Sequence, residues 1–432
     1  MLYLDGKKIV KYILQGWIIM KDKIIQVIDE NRDQIISCGE YILKNPEFGY
    51  KEFLTSQLVK EEFEKLGICY ESELAVTGVK GTIGKKDAKI NVCIIGELDA
   101  IKCFEHPLAN PETGAVHACG HNAQIAAMIG AAYGIVKSGV LEELDGKITF
   151  FAVPAEEFIE LEYREQLIKS GKITYMSGKQ ELIHIGAFDD IDMAIMIHSH
   201  ALTPSFNVYI DGSSLGFEAK RITYEGKAAH GSEPFNGVNA LNAAILGLMG
   251  INANRETFRD EDRVRIHPII TNGGDIVSVI PSKVVMETFV RGATTEAIED
   301  ACKKVDNAVN AGASAIGAKC IIKNIKGYKP LWQDKNLSAV FEENALMFTN
   351  DENIYHNVNM TGSTDMGDLS AIMPVIQPTM GGFTGALHSK EFMIADEEIT
   401  YISASKILAC TVYDLLKNGA TKAIEIKNNF KK

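Results

Sequence analysis

Apolar positions recur at helical spacing over residues 24–45, "IIQVIDENRDQIISCGEYILKN", and again over residues 53–67, "FLTSQLVKEEFEKLG". The first pattern predicts a helix ended by Pro46 and the second a helix ended by Gly67. Three later runs change period. "INVCIIGELDA", "KITFFAVPAEE" and "DMAIMIHSH" are short, rich in branched and aromatic residues and almost free of polar interruption, which predicts buried strands. Each closes on groups with chemistry to offer: Glu97 and Asp99, then Glu156 and Glu157, then His198 and His200. In open α/β sheets ligands bind beyond the carboxyl ends of the strands, so the repetition carries more weight than any one instance.

Past Pro204 the character changes. A strand ("FEAKRITYEG"), a helix ("VNALNAAILGLMGINA"), two strands ("RIHPIITNGG" and "KVVMETFVRG"), a helix ("TEAIEDACKKVDNAVNAGASAIG") and a strand ("KCIIKNIKGY") follow in turn. The order β-α-β-β-α-β is the ferredoxin-like split unit, and it reads as an insertion. From Leu331 the chain returns to helix and short apolar strands, including "MPVIQP" and the helical "EEITYISASKILACTVYDLLKN". The expectation is an α/β protein in which residues 1–212 and 330–432 build one domain and residues 213–329 a smaller α+β one.

Length and composition agree with two domains, since 432 residues with 46% hydrophobic content can bury a large core. A formal charge of −13 argues against nucleic acid or an anionic membrane as partner and leaves small molecules or peptides. The eight cysteines are scattered and form no CxxC pair, the pattern of reduced thiols in the cytoplasm. Charges interrupt the apolar N-terminal "MLYLDGKKIVKYILQGWIIMK", which reads as an extension and not a signal peptide. No uninterrupted apolar run approaches the roughly 18 residues that span a bilayer.

"VHACGHN" places His117, Cys119 and His121 at alternate positions on the approach to a helix over "AQIAAMIGAAYGIVKSG". The helix N-terminus favours a thiolate at Cys119, and a thiolate beside imidazoles suits zinc or a similar ion. A reactive or simply buried thiol remains open at this point. In "PAEE" consecutive side chains diverge, so one carboxylate can bind a metal while its neighbour faces a water; a solvated acidic helix start is the alternative. His198 closes an apolar run and is equally readable as a core histidine. His388 lies in the glycine-rich "GGFTGALHSKEF", and Asp365 and Asp368 precede it as supporting or capping groups. His230, in "YEGKAAHGSEP", reads as a turn histidine whose spacing demands no metal.

Together "ELDAI", "HACGHN", "PAEE", "HSH", "GKAAHGSEPFNGVNAL", "NGGDIVSVIP" and "GALHSKEF" resemble, in order and spacing, the amidohydrolase branch of the aminoacylase/carboxypeptidase G metallopeptidase family. "GSTDMGDLS" is similar within it to p-aminobenzoyl-glutamate hydrolase subunits. The resemblance covers about Asn45 to Leu415. It implies a catalytic domain with a mixed sheet flanked by helices, holding two divalent ions, and an inserted lid that makes a homodimer. Carried over by position, Cys119, His121, Glu157, His198 and His388 match metal ligands and Glu156 the general base. Asp99 matches a supporting acid, His230 the lid histidine that reaches the partner's site, and Arg291 a lid arginine for a substrate carboxylate. The implied reaction is hydrolysis of an amide in an N-acyl amino acid, an aminobenzoyl-glutamate-like compound or a dipeptide. Zinc suits the ligand set best, with manganese, cobalt or nickel also compatible. Three departures stand out: Ser278 replaces the usual Asn before "VIP", "HNAQIA" differs from a more apolar continuation, and the long charged segment 158–186 replaces a short glycine-rich link. Two other readings keep the fold but change the chemistry: an amidase with Cys119 as nucleophile, and a non-catalytic binding subunit.

Overall fold

The structure, a computed structural model, describes residues 19–431. The apolar N-terminal stretch through Ile18 lies outside them. Two compact units emerge: one takes the chain to Gly212, then Trp332–Val358 and everything from Leu369, and the other Ser213–Leu331 with Asn359–Asp368.

The first unit is built on a six-stranded mixed sheet in the order Tyr70–Leu74, Gly78–Gly84, Lys147–Val153, Asn91–Glu97, Met193–Ile195, Val375–Ile376. The first three strands pair antiparallel and the others parallel. Strands Asn91–Glu97 and Lys147–Val153 are buried almost throughout, because helices cover a parallel sheet and leave neither face to solvent. Helix His121–Lys137 packs on this sheet and against helices Arg32–Lys44 and Ala404–Asn429, its many Ala and Gly side chains permitting close approach. The apolar window of the C-terminal helix, Glu398–Asn429, is long enough to cross a membrane by composition, and it is wholly buried.

The structure departs from the sequence patterns in places where one residue interrupts backbone pairing. The predicted helix over 24–45 breaks at Asn31, whose side-chain amide donates to the Val27 carbonyl, and resumes as Arg32–Lys44. The strand ending on His198 divides between two sheets. The N–H groups of Ala194, Met196, His198 and His200 donate in turn to the carbonyls of Pro374, Ile376, Pro378 and Met380. The two prolines accept but cannot donate, so the ladder is one-sided there and His198–Ser199 joins a second sheet with Thr379–Met380, Val208–Ile210 and Ile354–His356. Pro268 likewise splits "RIHPIITNGG" into Arg265–Ile266 and Ile269–Asn272.

In the second unit Gly216–Glu225 and Lys283–Gly292 pair antiparallel over their full length. Arg265–Ile266 and Lys319–Lys326 flank them, the ferredoxin-like order, with helices Ala240–Ala253 and Thr295–Ile316 packed together over a core that includes Ile222, Tyr224, Val284, Met286 and Val305. Residues 359–368 join this unit, although sequence order alone assigns them to the other. Met360 N–H donates to Ser213, Leu215 N–H to Gly362, and Arg291 Nη1 to Ser363 Oγ at 2.5 Å.

Phe150 is fully buried on the strand that delivers Glu156 and Glu157. Phe150→Ala should destabilise the protein by about 3–5 kcal/mol, read as a lowered urea midpoint with unchanged m-value.

Candidate metal centre

Cys119 and His121 flank Gly120, which adopts φ 80° and turns the chain into helix His121–Lys137. A Cβ at position 120 would lie 2.9 Å from Ser199 Cβ, so glycine is required by conformation and by space. Ser199 Oγ donates to the Cys119 carbonyl at 2.8 Å and fixes the thiol-bearing turn. His121 Nδ1 lies 2.8 Å from the Asp99 carbonyl and His198 Nδ1 2.9 Å from the Ser199 carbonyl. A carbonyl can only accept, so each Nδ1 carries the proton and each Nε2 presents a lone pair. His198 Nε2 reaches within 3.4 Å of Cys119 Sγ. His388, at φ 61°, is tied by its N–H to the Ala118 carbonyl and places Nε2 3.2 Å from Glu157 Oε1. Asp99 holds two parts together: Oδ2 accepts from Glu157 N at 2.8 Å, and Oδ1 lies 3.4 Å from His121 Nδ1.

The donor atoms fall into three groups, each within 4.8 Å: Cys119, His121 and His198; Cys119, Glu157 and His388; and Glu97, His121 and Glu156. Cys119 belongs to the first two, so its sulfur lies between them. His121 Nε2, Glu157 Oε1 and Asp99 Oδ1 are buried without a hydrogen bond, although His121 Nε2 is 3.1 Å from Glu97 Oε2. Their close neighbours are the charged groups already named, with no well-formed hydrogen bond between them, and such crowded soft and borderline donors fit a divalent cation. Burial and Glu157 push the Cys119 thiol up, but His198 and His121 more than offset them and bring it down to about 6. The Glu157 carboxylate raises His388 to about 11 against the opposing effect of burial.

Glu97, given no role from sequence, is 1% exposed and bonds Lys179 Nζ at 2.5 Å and Gln124 Nε2 at 2.9 Å. Burial penalises its charge, but Lys179, His121 and His198 overcome that and hold it at about 2. Its place at the end of the apolar strand, two residues before Asp99, was the available signal. Nothing local marks Lys179 as its partner. His117 is buried with neither ring nitrogen hydrogen-bonded, belongs to none of the three groups, and lines a different cavity of about 590 Å³ with His106 and Phe392. His200 stacks on Tyr209 at 3.6 Å and contacts Thr379 Oγ1, also outside the groups.

His230, Arg291, Asp365 and Asp368 belong to the second unit. His230 is exposed, and its Nδ1 accepts from Ser232 N at 3.2 Å, which leaves the Nε2 proton to donate. Arg291 is half-buried over the rings of Phe217 and Phe289. Asp365 and Asp368 are buried, and the short helix at Met366–Ser370 receives its side-chain cap from Thr364 Oγ1.

Residues 215–316 match the peptidase dimerisation domain of the M20 peptidases. Over most of its length the chain is similar to peptidases and amidohydrolases of the M20 kind. Over 92% of its length it is 25% identical to a human Xaa-Arg dipeptidase, covering 89% of that protein. It is 26% identical to an N-acetyl-L-cysteine deacetylase of Bacillus subtilis over 72% of each chain. A dinuclear metal-binding M20 peptidase of Bacillus subtilis shares the fold with a TM-score of 0.68 at 21% identity, covering 90% of this chain and 99% of that one.

Because Glu157 is the main cause of the raised His388 pKa, Glu157→Gln in chelator-treated protein should lower that pKa from about 11 by several units. An NMR titration of the imidazole checks this. A raised histidine contributes stability below its ordinary value near 6.5 and loses it as pH climbs toward about 11, so the variant should lose most stability relative to wild type on the acid and neutral side.

Proposed function

We propose that this protein hydrolyses the amide bond of a small N-acyl amino acid or dipeptide, using two divalent cations. The observation that carries the reading is the placement of Cys119 Sγ in both donor groups, which gives one position bounded by His121 and His198 and a second bounded by Glu157 and His388. The ligand assignment by family motif names the same five residues that make up these two groups. Two bound cations would polarise the scissile carbonyl and lower the pKa of the attacking water. Zinc is the proposed ion, on the strength of the thiolate and imidazoles.

Glu156 takes the proton of the attacking water and passes it to the leaving amine. Its carboxylate lies within 4.8 Å of donor atoms of Glu97 and His121, and it diverges from Glu157 because successive side chains at a strand end point apart. Asp99 fixes both the Glu157 backbone and the His121 ring. His230, supplied by a second copy of the chain, donates its Nε2 proton to the carbonyl oxygen as that oxygen gains charge. Exposed Phe235, Ile276 and Val277 in the same unit support a homodimer. Arg291 offers its charge to a substrate carboxylate. The unpaired cysteines among the described residues fit a cytoplasmic setting.

The low thiol pKa of Cys119 favours one competing reading, a cysteine nucleophile. A chelator decides between them: loss of turnover, restored by metal, is expected here, whereas chelator-resistant turnover abolished by alkylation supports the nucleophile. Glu156→Gln should lower kcat by about 10²–10⁴ with metal content unchanged. Cys119→Ser should lose both ions and His388→Ala one, measured by elemental analysis of the purified variants.

A further inference from the structure

The turn that carries Glu156 and Glu157 is held in an unfavourable conformation. Ala155 has φ 55°, a region that residues with a Cβ seldom occupy. Such a residue persists only where its surroundings over-determine it, and here both of its peptide groups are clamped. Its N–H donates to Glu52 Oε1 at 2.8 Å, and Glu52 is itself fully buried and receives Thr77 Oγ1 at 2.6 Å. Its carbonyl accepts from Gly178 N at 3.2 Å and from Arg164 Nη1 at 3.4 Å.

Arg164 does more than touch Ala155. Nη2 donates to the Glu157 carbonyl, and Nη1 donates to the Met176 carbonyl at 2.6 Å. The guanidinium is fully buried with its Cζ 5.4 Å from the centre of the Tyr50 ring. Room for it depends on Gly49, where a Cβ would stand 2.6 Å from Nη2 and 2.8 Å from Ala155 Cα. Among the described residues no carboxylate forms an ion pair with it. Burying a charge that only carbonyls compensate is expensive, and an apolar side chain of similar volume would serve stability better. Arg164 lies on helix Leu161–Lys169, inside the segment that departs from the glycine-rich link usual in the family.

We infer that Arg164 is a positioning residue for this centre: by gripping the carbonyls of Ala155 and Glu157 it fixes the directions in which the Glu156 and Glu157 carboxylates leave the turn. The inference rests on the proposed roles of those two residues. Its hydrogen bonds go to backbone carbonyls, so it acts through the backbone of Ala155 and Glu157.

Three variants test it. Arg164→Lys keeps charge but loses the planar fork whose two nitrogens reach separate carbonyls, Arg164→Met keeps volume without charge, and Gly49→Ala displaces the guanidinium without deleting it. Zinc affinity is measured by competition with a chromophoric chelator, and steady-state kinetics on an amide that the wild type turns over give kcat and KM separately. The expected result is zinc affinity weakened about tenfold or more and kcat lowered about tenfold or more, with KM within about twofold and Arg164→Lys least affected. Wild-type affinity and kcat in folded variants, with only the melting temperature lowered, overturns the inference. So does failure of all three to fold, which would make Arg164 a structural residue. If the wild type itself binds no zinc, the proposed function falls and the inference with it, whereas wild-type binding matched by every variant removes the inference alone.

Discussion

The centre depends on one sulfur atom being shared. Cys119 Sγ lies within reach of two sets of donors, and the two sets have no other member in common. A sulfur common to two donor groups leaves little positional freedom, because moving the turn to improve one group spoils the other. That constraint accounts for the density of support around residues 118–121. Gly120 admits the left-handed turn, Ser199 fastens the Cys119 carbonyl, the Asp99 carbonyl fixes the His121 tautomer, and His388 hangs from the Ala118 carbonyl.

Charge explains why the surroundings are also elaborate. Cys119 as thiolate, Glu97, Asp99, Glu156 and Glu157 bring five formal negative charges into one buried region, and Lys179 brings one positive charge. Two divalent cations would offset most of the remainder, and the buried Arg164 guanidinium behind the Glu157 carbonyl adds to the positive side. In a low-dielectric interior that balance decides whether carboxylates can crowd so closely, since like charges a few ångströms apart repel by several kcal/mol even at an effective dielectric constant near 20. The buried Lys179 is therefore best understood through Glu97, whose charge it preserves next to His121.

Much of this was legible in the sequence, and the boundary is physical. Strands buried on both faces appear as continuous apolar runs, so Asn91–Glu97 and Lys147–Val153 and the acids at their ends could be read directly. The spacing of Cys119 and His121 raised metal binding as one alternative, and the family resemblance supplied the full ligand set. What stayed hidden was long-range. No periodicity connects Lys179 to Glu97, or Arg164 to the Glu157 carbonyl, because these contacts depend on how a separate segment folds back onto the strand edge. Single residues that rearrange pairing, such as Asn31, Pro268 and Pro378, also shifted element boundaries that hydrophobic pattern alone places elsewhere.

The central claim is that one thiolate serves two cation positions. X-ray absorption at the zinc edge of the fully loaded protein measures this most directly. The account predicts a sulfur scatterer near 2.3 Å from both zinc ions, an average of one sulfur per zinc, together with a zinc–zinc vector of about 3.5–4 Å. A first shell of nitrogen and oxygen alone, or half a sulfur per zinc with no metal–metal vector, would contradict it.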